Sequence, residues 1–572
     1  MTNARTAPAA ETEATGGDAG RAPLLHLFVP AAAGIVLAKC VDAVPPLPFA
    51  LAALTVAAGL LVLDFLPRAK AGNWFSRLWH CLFPVGVFLL FASYGAVRLP
   101  PSHAEQAALP PRWAEVRLRV LAVYPENAYG QIRGIARVEK APAIQDHLAG
   151  QKVLFLLKGP AELQTGSRFA AKGLVQRMNP AAANDSFNAW LERSGVYFEL
   201  RRVRIDGAIA PPGPVDDFAN RARGWMREKL LAGSEKLPEI RALVPAMMLG
   251  DKALMSREDK TLFRETGMMH LFAVSGLHVG LVALVVEAML ALAHFGRTRR
   301  ILAGQAVLLA YVVAIGSPPS AVRAFLMILF FRTGRLWGRP AKSLPSLAAS
   351  AVAVLLWQPL QLFDVGAQLS YGIVAAILLY GIPLGEFFKK RFTEEDFLPP
   401  DDLNPFRRRQ KWMTARLWES TGISLAAFAA SLPLCVAYFG YLAPVSVFLN
   451  LAMIPLALVA AVSAVLSIAL SLAGTLPFLG FLDGAAQFVN HASWLTSWIM
   501  ERLAAAVHDI PLAHFSASFA YPWQGPALAA MVLALMALLN YGKLRHSLLW
   551  MLSPIWALGA ALALSAAAQA LA

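Results

Sequence analysis

The chain has 572 residues, 57% of them hydrophobic and only 15% charged, with a mean hydropathy of +0.53. A soluble domain carries about 25% charged residues, so a soluble enzyme and a disordered chain are both excluded. Cys40, Cys81 and Cys435 each lie in an apolar stretch and none is in a CxxC, which excludes a disulfide scaffold and a structural zinc cluster; the net charge of +15 does not by itself call for nucleic acid, because polytopic proteins collect Lys and Arg in cytoplasmic loops.

Residues 1–23 mix small, polar and oppositely charged side chains and read as a disordered tail. Apolar runs at 24–40, 48–66 and 81–97 predict three membrane helices within 24–98. Leu37-Ala-Lys-Cys40 resembles a lipoprotein cleavage site, but Lys39 and the two apolar runs that follow favour uncleaved helices. At Pro100 the texture changes. Glu115-Val-Arg-Leu-Arg-Val120 alternates with period two, and strand-like runs follow at Gln131–Lys140, Lys152–Lys158, Arg168–Arg177 and Val196–Arg204, separated by Gly and Pro signals. Five short strands suit a small barrel, and the helix-like insertion Asn179 to Leu191 would close one end, so an OB-like β-barrel is expected over 100–206. From Arg112 to Asp206 there are 15 Lys/Arg and 9 Asp/Glu, a mildly basic domain.

The stretch 215–233 reads as an amphipathic interfacial helix coupling the barrel to the membrane. The remainder, 239–572, is expected to be a multi-helix membrane domain. Its candidate spans are 268–294, 300–316, 319–331, 344–358, 366–383, 420–438, 446–473, 483–506, 523–541 and 547–568, and the whole chain is expected to have ten to thirteen helices. Thr475 to Ala505 is amphipathic enough to lie along the surface instead. The basic connections at 67–79, 297–300, 332–342, 389–416 and 542–546 all fall on the cytoplasmic side if the N-terminus is cytoplasmic and every span crosses. The fold class is thus a polytopic α-helical membrane protein whose small OB-like barrel is extracytoplasmic, an arrangement suited to holding a polyanion outside and passing it inward.

The densest polar cluster in an apolar context runs from Gly267 to Gly280 and contains His270, Ser275, Gly276 and His278. Positions 270 and 278 share a helical face, and 275 and 278 are close enough to touch. Three chemistries fit. A Ser–His nucleophile would use Ser275 and His278, but it lacks an evident carboxylate and a GxSxG elbow. A metal site would use both histidines but lacks a third ligand. A polar cavity lining, with Ser275-Gly276 breaking the helix, agrees best with polar groups at membrane depth.

The Gly267 to Gly280 block resembles the signature of the ComEC family of competence proteins, His-Leu-x-Ala-x-Ser-Gly-Leu-His-Val. Further similar blocks follow the family order: Leu249-Gly-Asp251, Pro318-Pro-Ser-Ala-Val-Arg323-Ala, Phe363-Asp364-Val-Gly-Ala-Gln368-Leu-Ser370, Ser431-Leu-Pro433 and Asn450-Leu-Ala-Met-Ile-Pro455. The run Asn179-Pro180 through Gly195-Val196 is similar to the end of the family's OB-like domain. The resemblance covers about 24 to 541 and implies an inner-membrane channel that takes single-stranded DNA into the cytoplasm during natural transformation.

Single-stranded DNA is then the implied partner, with membrane lipid around the helices. Candidate phosphate contacts are Arg117, Arg119, Arg133, Arg137, Lys152 and Lys172, with Tyr124 and Tyr129 as candidate stacking residues. The competing reading is that these charges solvate the outer face and the tyrosines pack or cap turns. Many family members carry a metallo-β-lactamase-like domain, but its HxHxDH ligand cluster occurs nowhere in these 572 residues. No GxxxxGK[ST] loop is present either. The chain is expected to have no catalytic residue, cofactor or metal of its own, and to rely on a separate nuclease, a DNA receptor and a cytoplasmic ATPase. Arg323, Asp364, Gln368, Ser370 and Asn450 join the signature residues as candidate pore positions, with an Arg323–Asp364 pair satisfying two charges that are costly in a membrane. The alternatives are an intramembrane Ser–His hydrolase and a transporter of a smaller anionic solute.

Overall fold

The computed structural model describes residues 23–41, 44–65, 73–99, 111–124, 130–142, 148–158, 163–178, 191, 194–234, 241–338, 342–393, 404–510, 513–519, 521, 523–541, 553–554 and 558. The N-terminal tail, Tyr129, nearly all of the 179–191 insertion, the 542–546 connection and nearly all of the 547–568 span lie outside them.

Three apolar helices, α1 (Pro23–Cys40), α2 (Pro46–Phe65) and α3 (Asn73–Arg98), form the N-terminal layer. They pack closely because glycines face backbone: a Cβ added at Gly34 would stand 2.4 Å from the Phe88 carbonyl oxygen. Five strands follow: β1 (Arg112–Tyr124), β2 (Gln131–Lys140), β3 (Lys152–Lys158), β4 (Arg168–Arg177) and β5 (Val196–Ala210). They close in the order β1-β2-β3-β5-β4, all neighbours antiparallel except β3 with β5. This closed, OB-like barrel is filled by the inward half of each alternation, including Val116, Leu118, Val120, Phe155, Phe169 and Leu200.

After the barrel come α4 (Pro214–Leu231), α5 (Leu243–Leu249) and α6 (Arg257–Glu265), the last opened by a Ser256–Asp259 capping box. The helical body continues with α7 (Gly276–Leu292), α8 (Arg297–Ala314), α9 (Pro319–Leu336), α10 (Ser343–Trp357), α11 (Val365–Ala376), a π-helical turn at Ile377–Gly381 and α12 (Ile382–Phe392). Helices α13 (Pro405–Phe439), α14 (Ser446–Gly474), α15 (Leu482–His508) and α16 (Gln524–Tyr541) complete it. A two-stranded clasp pairs β6 (Tyr441–Leu442) with β7 (Phe515–Ser516), so the ends of the α14–α15 hairpin meet at its base.

Among the described residues, four helices are long and apolar enough to cross a membrane: Leu78–Arg98, Val365–Phe392, Pro405–Phe439 and Ser446–Gly474. With the shorter apolar helices around them they make the chain a membrane protein. Three elements depart from the sequence expectation. The 268–294 span is broken: a 3₁₀ turn at Met269–Phe272 precedes a helix that begins only at Gly276. The 420–438 span is the apolar end of a 35-residue helix that also contains part of the 389–416 basic connection. Arg332, counted in the basic connection 332–342, lies within α9, is buried, and donates to Glu287 (2.7 Å) and to the Ala283 carbonyl (3.2 Å) on α7.

Candidate nucleic-acid interface

Pairing register turns scattered basic residues of the barrel into one feature. Arg168 on β4 stands opposite Arg119 on β1, Arg119 opposite Arg137 on β2, and Arg137 opposite Lys152 on β3. Because their neighbours Leu118, Val120, Ala136, Val138, Val153 and Phe169 fill the core, these four side chains form a continuous cationic rung on the outer face. Arg168 is partnered by Glu139 at 2.9 Å, and Arg119 by Asp216 of α4 at 2.8 Å. Arg137 is exposed and has no ion pair among the described residues. Lys152 donates to the Ser194 carbonyl (3.0 Å), and burial pushes its ammonium below its usual pKa; Arg137 adds to the shift, while Asp364 of the helical body opposes it.

The other predicted barrel contacts divide differently. Arg117 is exposed on the same strand as Arg119 but faces Lys140 and Ala170. Lys172 is taken up by Glu115 (2.8 Å) and Asp206 (3.5 Å), away from the rung. Arg133 is half-buried opposite Tyr124. Tyr124 packs on a small cluster with Ile135, Leu154, Leu191 and Val196, and burial raises its phenol pKa, so its ring is a packing element first. Trp113, which the sequence reading did not single out, is 59% exposed at the start of β1.

Helix α4 fastens the barrel to the body. Asp216 holds Arg119, and Asn220 donates to the Thr165 carbonyl (2.9 Å). Its opposite face buries Met226 and Leu230 in the helical core, and Arg227 pairs with buried Asp251. Asp251 thus joins the loop after α5 to α4.

In the signature itself the helix break at Ser275-Gly276 is present. Ser275 caps α7, with its backbone N–H (3.2 Å) and its Oγ (3.1 Å) both against Nδ1 of His278. The N–H donation makes Nδ1 an acceptor, so Nε2 of His278 carries the ring proton, and it is buried with no hydrogen-bond partner among the described residues. A nucleophilic pair needs an orienting acceptor at that second nitrogen, and the described residues supply none. His270 lies in the 3₁₀ turn and its Nδ1 contacts the Gly267 carbonyl oxygen at 2.9 Å; the shared helical face expected for the two histidines is lost with the break. Gly267 has φ +76°, and a Cβ there would stand 3.0 Å from that of Ser446, so glycine is needed on both counts.

The next two blocks meet this loop. Ser320, in the first turn of α9, donates to the Val274 carbonyl (2.6 Å). Arg323, 3% exposed, donates to the Gly366 carbonyl (2.8 Å) and to Oε1 of Gln361 (3.3 Å). The expected Arg323–Asp364 ion pair is replaced by a looser electrostatic contact, because Asp364 caps α11 by accepting from the Ala367 N–H (2.9 Å). Gln368 donates to the Leu362 carbonyl (3.0 Å) and accepts from the Tyr438 hydroxyl (3.3 Å), joining α11 to α13; Ser370 is half-buried two residues further on. The N-termini of α7, α9 and α11 thus converge around Arg323, and each helix directs positive dipole ends there. Asn450 stands apart on α14, its Oδ1 buried with no hydrogen-bond partner among the described residues, five residues before Pro455.

Comparison with known proteins identifies the family. The family model described as competence protein matches residues 247–543, from α5 through the signature to just beyond α16. The chain belongs to the competence protein family. Within it, the chain is 25% identical to ComE operon protein 3 of Bacillus subtilis over 390 residues, 67% of this chain and 44% of that relative. It is 33% identical to competence protein ComA of Neisseria gonorrhoeae over 151 residues, 24% of this chain and 21% of the other. An uncharacterized Aquifex aeolicus protein is 27% identical over 326 residues, 56% of this chain and 65% of its own length. The chain thus spans less than half the length of the Bacillus relative. No solved structure matches it.

Residues that sequence reasoning missed share one property: their partners are remote. Glu287 and Arg332 are 45 positions apart, and a three-residue group of Glu265, His508 and His514 spans two ends of the competence domain. A buried charge in an apolar run was the available signal for the first pair; nothing local signals the second group.

Proposed function

We propose that this competence-family protein is an inner-membrane channel that takes single-stranded DNA into the cytoplasm during natural transformation, with the barrel on the extracytoplasmic side. One observation carries the reading. The cationic rung Arg168–Arg119–Arg137–Lys152 ends at a lysine that interacts electrostatically with Asp364, the cap of α11 at the junction where three helix N-termini surround Arg323. A strand's phosphates attracted to the rung would be delivered to a second region of positive potential inside the helical body. The printed names of the Bacillus and gonococcal relatives support a competence role.

Strand degradation, surface capture and energy input are assigned to partners: a separate nuclease, a DNA receptor and a cytoplasmic ATPase. The Ser–His hydrolase reading is the weaker one, because among the described residues Nε2 of His278 has no acceptor to orient the ring. The deciding experiment follows labelled duplex DNA in a deletion strain and its complemented parent. Label should stay outside the inner membrane without the gene and enter on complementation. Equal entry in both strains would refute the channel. Ser275→Ala, tested beside it, should leave most uptake intact, where a hydrolase would lose nearly all turnover.

A further inference from the structure

The carboxylate of Glu265 and the imidazoles of His508 and His514 converge at one point, with one ligand atom from each mutually within 4.8 Å. Oε2 of Glu265 is 2.8 Å from Nε2 of His508 and 3.6 Å from Nε2 of His514. Tetrahedral zinc with bonds of about 2.0–2.1 Å holds its ligand atoms roughly 3.4 Å apart, close to both Glu265–histidine separations. We propose that these three side chains form a zinc site that ties the approach to the signature loop to the segment after α15.

The surroundings favour a metal over a plain ion pair. Nδ1 of His508 is 3.0 Å from Oδ1 of Asp509, a carboxylate placed as the outer partner of a metal-bound histidine is, while Nε2 faces Oε2 of Glu265 and would exchange its proton for the metal on binding. Oε1 of Glu265 is 3.5 Å from Arg264, leaving Oε2 for the histidines. His514 Nδ1 is buried with no hydrogen-bond partner among the described residues, so this ring gains little from its protein contacts alone. The two imidazoles are near-parallel, 25° apart with centroids at 5.2 Å. Helices α6 and α15 both end at the cluster, at Glu265 and His508, and their negative dipole ends add to the attraction for a cation.

Two neutral imidazoles and one carboxylate suit zinc and discriminate against magnesium, which takes oxygen ligands. All three side chains are about 30% exposed, so a fourth position is open to water. Zinc here would hold α6 in place two residues before Gly267, where the chain turns into the signature. The inference is independent of what the channel carries.

The test uses the full-length chain, purified in detergent, stripped with EDTA and titrated with ZnCl2 or CoCl2. About one zinc should remain per chain after gel filtration, unaffected by excess MgCl2. Cobalt should give the intense visible bands of a tetrahedral site, lost in H508A and H514A. Asp509 is 90% exposed, so D509N spares the fold and keeps all three ligands; it should weaken zinc binding about tenfold. A wild-type chain that retains no zinc, or a cobalt spectrum unchanged in H508A and H514A, would overturn the proposal. Should those variants fail to fold, D509N decides, and zinc affinity equal to wild type would overturn it.

Discussion

Lys152 stands where a lysine is costly. Burial and Arg137 both disfavour its charge, and Asp364 compensates only in part. Its folded-state pKa lies below the unfolded value of 10.5, so the unfolded chain binds more protons and stability rises with pH across that interval. The penalty is full below the folded pKa, declines as pH climbs through it, and is gone above 10.5. Lys152→Met should therefore raise the melting temperature of the detergent-solubilised chain at pH 7, by a margin that shrinks at pH 10, while weakening its hold on single-stranded DNA. A variant less stable than wild type at pH 7 would contradict this. Arg323 is the opposite case, because its buried guanidinium satisfies Gly366 and Gln361. Arg323→Met should cost roughly 3 kcal/mol by leaving two acceptors unpaired, read as a lower melting temperature, and Arg323→Lys should recover only part because one ammonium reproduces the fork poorly. The Ser275–His278 contact was legible in the sequence, since positions three apart meet in the first turn of a helix. The Glu265–His508 contact was not, because 243 positions of chain separate its members and only the fold closes that distance.

Strands were the most legible elements. The runs Gln131–Lys140, Lys152–Lys158 and Arg168–Arg177 form strands with those bounds, because period-two alternation is enforced by a barrel wet on one face and dry on the other. The first and last strands run longer than expected, to Arg112–Tyr124 and Val196–Ala210, where the alternation fades but the ladder partners persist. Helix boundaries in the body were harder: Ser275-Gly276 signalled a break, but the apolar residues before it gave no sign that Met269–Phe272 would be a 3₁₀ turn. One helix contact rests on glycines spaced as in membrane pairs: Gly381 and Gly385 face Gly422 on α13, and a Cβ at Gly422 would stand 2.4 Å from the Gly385 nitrogen. Gly422→Leu cannot be absorbed by a side-chain shift, because the obstacle is backbone. It should force α12 and α13 apart and lower both the yield of folded protein and its melting temperature, whereas Gly59→Leu, with no atom within 4 Å of its Cβ position, should change neither.

At the scale of the whole molecule, α4 makes barrel and body one mechanical unit, with Asp216 on Arg119 and Arg227 on Asp251. A strand bound along the four-residue rung neutralises at most about four phosphates, so its affinity should fall with salt with a log–log slope of roughly −3, and Arg137→Ala should lower that magnitude by about 0.7. A slope near zero would remove the rung from the binding surface. The β6–β7 clasp has a different consequence. It pins together the two ends of a 446–508 hairpin whose far turn carries Phe478, 98% exposed and at φ +70°. Cutting the chain at that turn separates no packed layer, since α14 and α15 still lie against one another and the clasp still joins their outer ends. Two co-expressed pieces, 1–477 and 478–572, should therefore find each other and restore the function of the intact chain, making this tip the natural place for a reporter or an affinity handle.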